Sequence, residues 1–260
     1  MRVPAIARIT LGRCTPKQLV AWEALGFRVE RPQPPAHTAL IRFDNLEIGL
    51  DLSPSEDTEV KSHVQSWSWR GIASSSETLC TIPLSRHFLD NEAPNSVEHH
   101  RNHVNHVDHI VLRTTDCHRL GKQLDTAGFD MARLRDDIYP GITQMFYKTG
   151  GPSDNIRGPF LEVVGPTPEV STENTNKESA SFLKIPSETS EYKVTLWGLG
   201  LESSDIDQTF EEASPLCSKV RSAFQKGKKI ITLKPDEELG LALAVLSRRK
   251  DRPGATTTNR

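Results

Sequence analysis

A histidine and a glutamate sit in this chain where ionisable side chains are expensive. His109 lies among Val107, Ile110, Val111 and Leu112, and Glu162 lies between Leu161 and Val163. An imidazole or a carboxylate in a buried strand needs a partner that offsets its desolvation, and a metal ion or a polar ligand are two such partners. On a pleat His109 shares a face with Val111 and Arg113, while Glu162 shares one with Phe160 and Val164, opposite Leu161 and Val163. Neither face is polar enough for open surface, so both are expected to line a partly enclosed, concave face. The competing reading makes them ordinary outward residues of a half-solvated sheet. With a metal, the pair would help a Lewis acid polarise a carbonyl; without one, His109 and Glu162 would themselves be acid and base.

The elements that must position them recur along the chain. Residues 106–166 read as a strand (VDHIVLRT), a helix capped by Asp116 and closed at Gly128, and the strands FDMARL (129–134), ITQMFYK (142–148) and GPFLEVVG (158–165). Residues 191–248 repeat that order: VTLWGLGLES (194–203), a helix capped by Asp205, then CSKVRS, KKIITLK (228–234) and GLALAVLS (240–247). Residues 1–52 carry a degenerate copy, with ARITLG (7–12), a helix from Thr15 and Pro16 to Gly26, GFRVE, TALIRF (38–43) and NLEIGLDL (45–52). Between the copies, residues 53–105 are a polar connection with short strand candidates, and 167–190 are a flexible linker; 249–260 are a disordered tail. Self-similarity at this period changes both fold and function, so it precedes either.

The stretches DHIVLRTTD, TQMFYKTG, FLEVVGP and LWGLGLESSDID resemble consecutive modules of the vicinal oxygen chelate superfamily, the glyoxalase, bleomycin-resistance and extradiol-dioxygenase group. The resemblance implies an α+β fold in which tandem βαβββ modules pair into a curved, cup-shaped sheet with helices outside. It also implies metal ligands on the first and last strands of each module, and His109 and Glu162 match those positions in the central module. Gly198 and Ala244 take them in the C-terminal module, and Arg8 with Gly49 or Leu50 in the N-terminal one. Gln144 and Glu202 are the candidates to complete a shell around Zn, Fe, Mn or Ni. Gly198 and Gly200 would leave room for a ring-sized ligand, Arg113 would attract an anionic group, and Phe146 and Phe160 would form the wall. The implied activity is that of a glyoxalase-like isomerase, lyase or dioxygenase acting on a small oxygenated metabolite. Two alternatives stand beside it: a metal-independent small-molecule binding protein of the bleomycin-resistance type, and a scaffold in which His109 and Glu162 are a structural pair.

Composition narrows the partners. A formal charge of −2 over 260 residues, with no long positive block, speaks against nucleic acid or an anionic membrane. A small molecule, with a homodimer as a further expectation, remains. No apolar run reaches membrane-spanning length. Cys14, Cys80, Cys117 and Cys217 are scattered without a CxxC pair, which argues for a reducing, cytoplasmic setting. Basic residues ahead of Glu23, the first acidic one, make organelle targeting the weaker reading. Gly198-Leu199-Gly200 lacks the third glycine of a dinucleotide loop, so no nucleotide cofactor is expected. His99, His100, His103, His106 and His109 have helical spacing, but the strand-like sequence after His106 favours a solvated loop over a metal cluster.

Overall fold

The computed structural model describes residues 4–12, 14–33, 36–53, 64–70, 78–79, 82–84, 99–136, 139–151, 157–167, 192–233, 239 and 241–248. The expected tail, nearly all of the expected linker and much of the connection at 53–105 lie outside the described residues. The chain runs β1 (Ala5–Leu11), α1 (Pro16–Ala24), β2 (Thr38–Arg42), β3 (Glu47–Asp51), β4 (Val64–Arg70), β5 (Thr78–Leu79) and β6 (Ile82–Pro83). It continues through β7 (Val104–Thr114), α2 (Cys117–Thr126), β8 (Asp130–Arg135), β9 (Ile142–Lys148) and β10 (Phe160–Pro166). The last unit is β11 (Val194–Ser203), α3 (Ile206–Ala213), β12 (Arg221–Ser222), β13 (Lys229–Leu233) and β14 (Ala242–Ser247).

Two units share one eight-stranded sheet, ordered β12-β13-β14-β11-β7-β10-β9-β8. Their first strands, β7 and β11, meet antiparallel at the centre, and each pairs on its other side, in parallel, with its own last strand, β10 or β14. The fold is therefore α+β with paired βαβββ modules. Both helices begin with the same chemistry. The Asp116 carboxylate accepts from Arg119 N at 2.9 Å, and that of Asp205 from Asp207 N and Gln208 N at 3.1 Å. The backbone N–H of each aspartate in turn donates to a hydroxyl two residues earlier, Thr114 or Ser203. Superposing the two aspartates puts Gly198 in the place of His109 and Gly200 in that of Val111. The strand register agrees, since His109 pairs with Gly200 and Val111 with Gly198.

Alternation decides which face is which. Met145 and Tyr147 of β9 meet α2, where a methyl group on Gly121 would lie 3.0 Å from the Tyr147 hydroxyl. Gln144 and Phe146 therefore face away from the helix, as do Phe160, Glu162 and Val164 on β10, whose neighbours Leu161 and Val163 are fully buried. That face is curled. Arg135, on the β8 edge, lies 4.8 Å from the ring centroid of Phe224, just past the β12 edge. In a flat sheet those edges would be seven strand spacings, or about 33 Å, apart.

A second sheet, β2-β3-β1-β4, repeats part of the pattern, with β1 parallel to β3 and antiparallel to β4. Both sheets share one apolar core, in which Trp69 stacks edge-on against Phe129 at 4.9 Å. Asn45 ties the sheets together: its side-chain amide donates to Val107 O at 2.7 Å and accepts from Val107 N at 2.9 Å. No helix among the described residues is long and apolar enough to cross a membrane.

Several expected strands shift by a residue or two at an end, and three differ by more. GFRVE is reduced to a single bridge from Glu30 to Leu40, and CSKVRS to β12 plus a bridge from Cys217 to Leu233. In contrast, β7 starts earlier than expected, at Val104, because Val104 and His106 find partners in Ser203 and Glu202. Replacing Asn45 with Ala orphans a buried N–H and C=O of Val107. Chemical denaturation should register a loss of about 2–6 kcal/mol, at about 1–3 kcal/mol for each of the two unsatisfied groups.

Candidate functional site

The central strand pair is out of regular register at one step. Between the pairs His109–Gly200 and Val107–Leu201, β7 advances two residues and β11 one, leaving Asp108 as the extra residue of a β-bulge. Strict alternation would put Asp108 on the core face with Ile110 and Leu112. The bulge instead brings its carboxylate to its neighbour, and Asp108 Oδ2 lies 2.9 Å from His109 Nδ1. The imidazole then presents Nε2 to Glu162, with Oε2 at 3.6 Å, while the other Glu162 oxygen accepts from Gln144 Nε2 at 3.0 Å. His109, Glu162 and Gln144 thus converge, and Asp108 joins them.

Gly200 explains how the ring fits. A methyl group built there would overlap the His109 imidazole, and one at Gly198 would collide with the backbone of Ala242. The room that the two glycines were expected to leave for a ligand is thus filled by the protein itself, at Gly200 by the histidine. Phe160 pairs with His109 and carries the Arg157 guanidinium 4.2 Å above its ring, and Phe146 pairs with Glu162. Arg113 lies further along the same face, 5.1 Å from the ring centroid of Trp197. Val111, Ile142 and Val164 form an apolar patch with that tryptophan, separate from the main core. Trp197 reaches the patch because it too is an extra residue, on β11 between the pairs Leu196–Leu112 and Gly198–Val111.

Glu202 does not join His109 and Glu162. Its carboxylate lies 3.4 Å from Lys228 Nζ and 3.9 Å from Arg248 Nε. The same Lys228 Nζ lies 3.7 Å from Asp108 Oδ1, so one ammonium bridges the two strands. The remaining histidines scatter. His100 is buried edge-on to Phe27 and Phe43, where desolvation drops its pKa to about 4, and His106 pairs with Asp44 at 2.9 Å.

Electrostatics follow from burial and neighbours. Burial pulls the His109 pKa down, but the hydrogen bond with Asp108 and the charges of Glu162 and Asp108 outweigh it, so the imidazole titrates above its usual 6.5. Burial pushes Glu162 above its usual 4.5, and the nearby imidazole only partly opposes this. Burial acts to raise Asp108 as well, yet its hydrogen bond with His109 and the imidazole's charge hold it below the ordinary carboxylate range.

The donor set can be tested against a divalent ion. His109 Nε2 and Glu162 Oε2 are spaced like neighbouring ligands of one ion, and the Asp108 contact is of the kind that orients metal-bound histidines. The facing module adds nothing, because Gly198 and Ala244 stand at the matching places and Gly200 pairs with Ala244. Among the described residues no group of three or more His, Cys, Asp or Glu side chains is placed to hold a metal ion, and the Lys228 ammonium already carries positive charge to Asp108. Two strong donors and one amide do not fit a tightly held metal.

Sequence reasoning missed Asp108 and Lys228. The signal for Asp108 was its own misfit, a carboxylate at a position that alternation assigns to the core. Lys228, on a basic turn far along the chain, had none.

No family model matches the chain, and no curated protein matches it. Among solved structures it is similar to a xylose isomerase-like TIM barrel/4-hydroxyphenylpyruvate dioxygenase fusion protein, with a TM-score of 0.56 and 12% identity, over 98% of this chain and 50% of that one. A methylmalonyl-CoA epimerase from Mycobacterium tuberculosis aligns with a TM-score of 0.41 and 14% identity, over 60% of this chain and 94% of that one. The likeness to the fusion protein, at 12% identity, is one of fold alone.

Two outcomes follow from this geometry. Since folded His109 holds its proton above the unfolded value of 6.5, its stabilisation is complete below that pH and is lost as pH rises through the folded pKa. Asp108→Asn should lower the His109 midpoint in an NMR titration and flatten the fall in stability above pH 6.5. Gly200→Ala should displace the imidazole, seen as a large change in the His109 ring signals while the circular dichroism of the sheet is kept.

Proposed function

We propose that this chain is a glyoxalase-like isomerase or lyase that moves a proton on a small oxygenated metabolite, with His109 and Glu162 as its acid–base pair. The observation that carries this reading is the pinned imidazole: Asp108 occupies Nδ1 and fixes the tautomer, so Nε2 and the Glu162 carboxylate open on the same enclosed face. In the reaction a ligand carbonyl lies over the pair. Glu162 takes the proton from the carbon next to the carbonyl, and the C–H electrons form a carbon–carbon double bond while the carbonyl electrons move to oxygen. The imidazolium of His109 donates from Nε2 to that oxygen, and the steps reverse to return the proton to the same carbon or its neighbour. Gln144 holds Glu162 in place, and the Phe146 and Phe160 rings limit water. A dioxygenase would need a redox metal, which the donor set does not suit.

A second reading, ligand sequestration without turnover, is favoured by the apolar patch around Trp197 with Arg113 beside it. The cytoplasmic setting belongs to the proposal and is supported by Cys14 and Cys117, both buried free thiols. A homodimer is proposed with it.

The test is hydrogen–deuterium exchange at carbon. The full chain is incubated in deuterated water with a panel of small 2-hydroxyaldehydes, 2-oxo acids and thiohemiacetals, and loss of the carbon-bound proton is followed by NMR. His109→Gln and Glu162→Gln should each slow exchange by about 100- to 10,000-fold, the range for a positioned acid or base. Exchange that survives both substitutions would sink the proton-transfer reading. Calorimetric binding of a panel member without exchange would establish sequestration instead.

A further inference from the structure

The facing module has Gly198 and Ala244 at the places equivalent to His109 and Glu162, yet it sends one charge into the site. That charge is Lys228, whose side chain is only 10% exposed, whereas that of its neighbour Lys229 is 52% exposed and pairs with Asp207. Lys228 reaches Asp108 by crossing over β14 and β11. On a flat sheet that is three strand spacings, about 14 Å and beyond the length of a lysine side chain, so the contact exists only because the sheet curls.

Lys228 is delivered by a tight turn. Ala223 N donates to Lys228 O at 2.9 Å, Lys228 N donates to Gln225 O at 3.0 Å, and Gly227 adopts φ 82. Nothing lies within 4 Å of a methyl group built on Gly227, so the tip of the turn stands in open space. Its outer anchor is Phe224, 71% exposed, whose ring meets the Arg135 guanidinium from the opposite edge of the sheet. Its inner anchor is the ammonium itself, 3.4 Å from Glu202 and 3.7 Å from Asp108. Both separations exceed an ideal charged hydrogen bond, so the lysine is held by charge and is not locked.

We propose that Lys228 is the facing module's positioning residue, and that the Ala223–Lys228 turn carrying it is a movable closure of the cup, latched by Phe224 on Arg135. When the turn is closed, the ammonium holds Asp108 Oδ1, and Asp108 Oδ2 is thereby aimed at His109. Opening the latch withdraws the lysine and leaves the Asp108 carboxylate free to rotate. Ligand entry and assembly of the acid–base pair are then one motion. Lys228 also lowers the Asp108 pKa, after the larger effect of His109, in keeping with that role. This inference rests on the proposed site, but its test reads the lysine and not turnover.

The full-length protein is pulsed with acetic anhydride, and acetylation at each lysine is followed by peptide mass spectrometry. Lys228 should react at least several-fold more slowly than Lys229. Phe224→Ala and Arg135→Ala should each raise the Lys228 rate several-fold and leave that of Lys122, exposed on α2, unchanged. Equal rates for Lys228 and Lys229, or a Lys228 rate indifferent to both substitutions, would overturn the closure. Independently, Lys228→Met should shift the His109 ring signals in nitrogen-15 NMR, with restoration by Lys228→Arg. A change in melting temperature without any change in those signals would reduce Lys228 to a structural prop. Turnover lost on His109→Gln with unaltered labelling would retain the proton-transfer reading and discard the closure; the opposite pattern would leave a ligand-binding cup with a closing turn.

Discussion

Where β7 and β11 cross the centre of the large sheet, one residue too many on β7 must be accommodated, and the accommodation makes the site. A β-bulge breaks alternation locally, so two consecutive side chains, Asp108 and His109, stand together where a regular strand would part them. The opposing strand has to give way as well. At Gly200 any Cβ would occupy the volume of the imidazole, so the ring packs directly on glycine backbone. A half-buried histidine with a carboxylate on one nitrogen and a second carboxylate facing the other depends on both conditions.

The same backbone feature appears in symmetry-related places with different consequences. On β11 the extra residue is Trp197, which swings onto the apolar patch of Val111, Ile142 and Val164. On β1 it is Ala7, between the pairs Ile6–Trp69 and Arg8–Ser68, which places Arg8 where β7 has His109. Arg8 is answered by Glu47 at 2.6 Å, and Glu47 is shared with Arg42. One backbone plan thus yields a polar half-site, an apolar half-site and a closed ion-pair cluster.

From Glu202 through Lys228, Asp108 and His109 to Glu162, charges alternate in sign across the cup. Each contact near 4 Å is worth about 4 kcal/mol at an effective dielectric of about 20. Removing each ion from water costs several kcal/mol, so the chain comes close to balance. Its main effect is geometric: each member restricts the next, and neither module completes the chain alone. Metal ligation would have to compete with these pairings using donors from one module only.

The sequence by itself determined the local elements. The strand at 142–148 and the one at 194–203 match β9 and β11 to the residue, and Asp116 and Asp205 cap their helices as their positions imply. Period and capping are short-range properties, and the repeat follows from them. The face shared by His109, Glu162, Gln144, Phe146 and Phe160 was legible for the same reason, because alternation holds along β9 and β10. Asp108 showed only as a misfit in such alternation, since whether a bulge forms there depends on the partner strand. Lys228 was not legible, since its approach depends on the curl of eight strands. Gly200 was read as space for a ligand, because only packing shows that the imidazole fills it. Local pattern set the elements, while curvature, register and the close approach of side chains distant in sequence decided which groups meet.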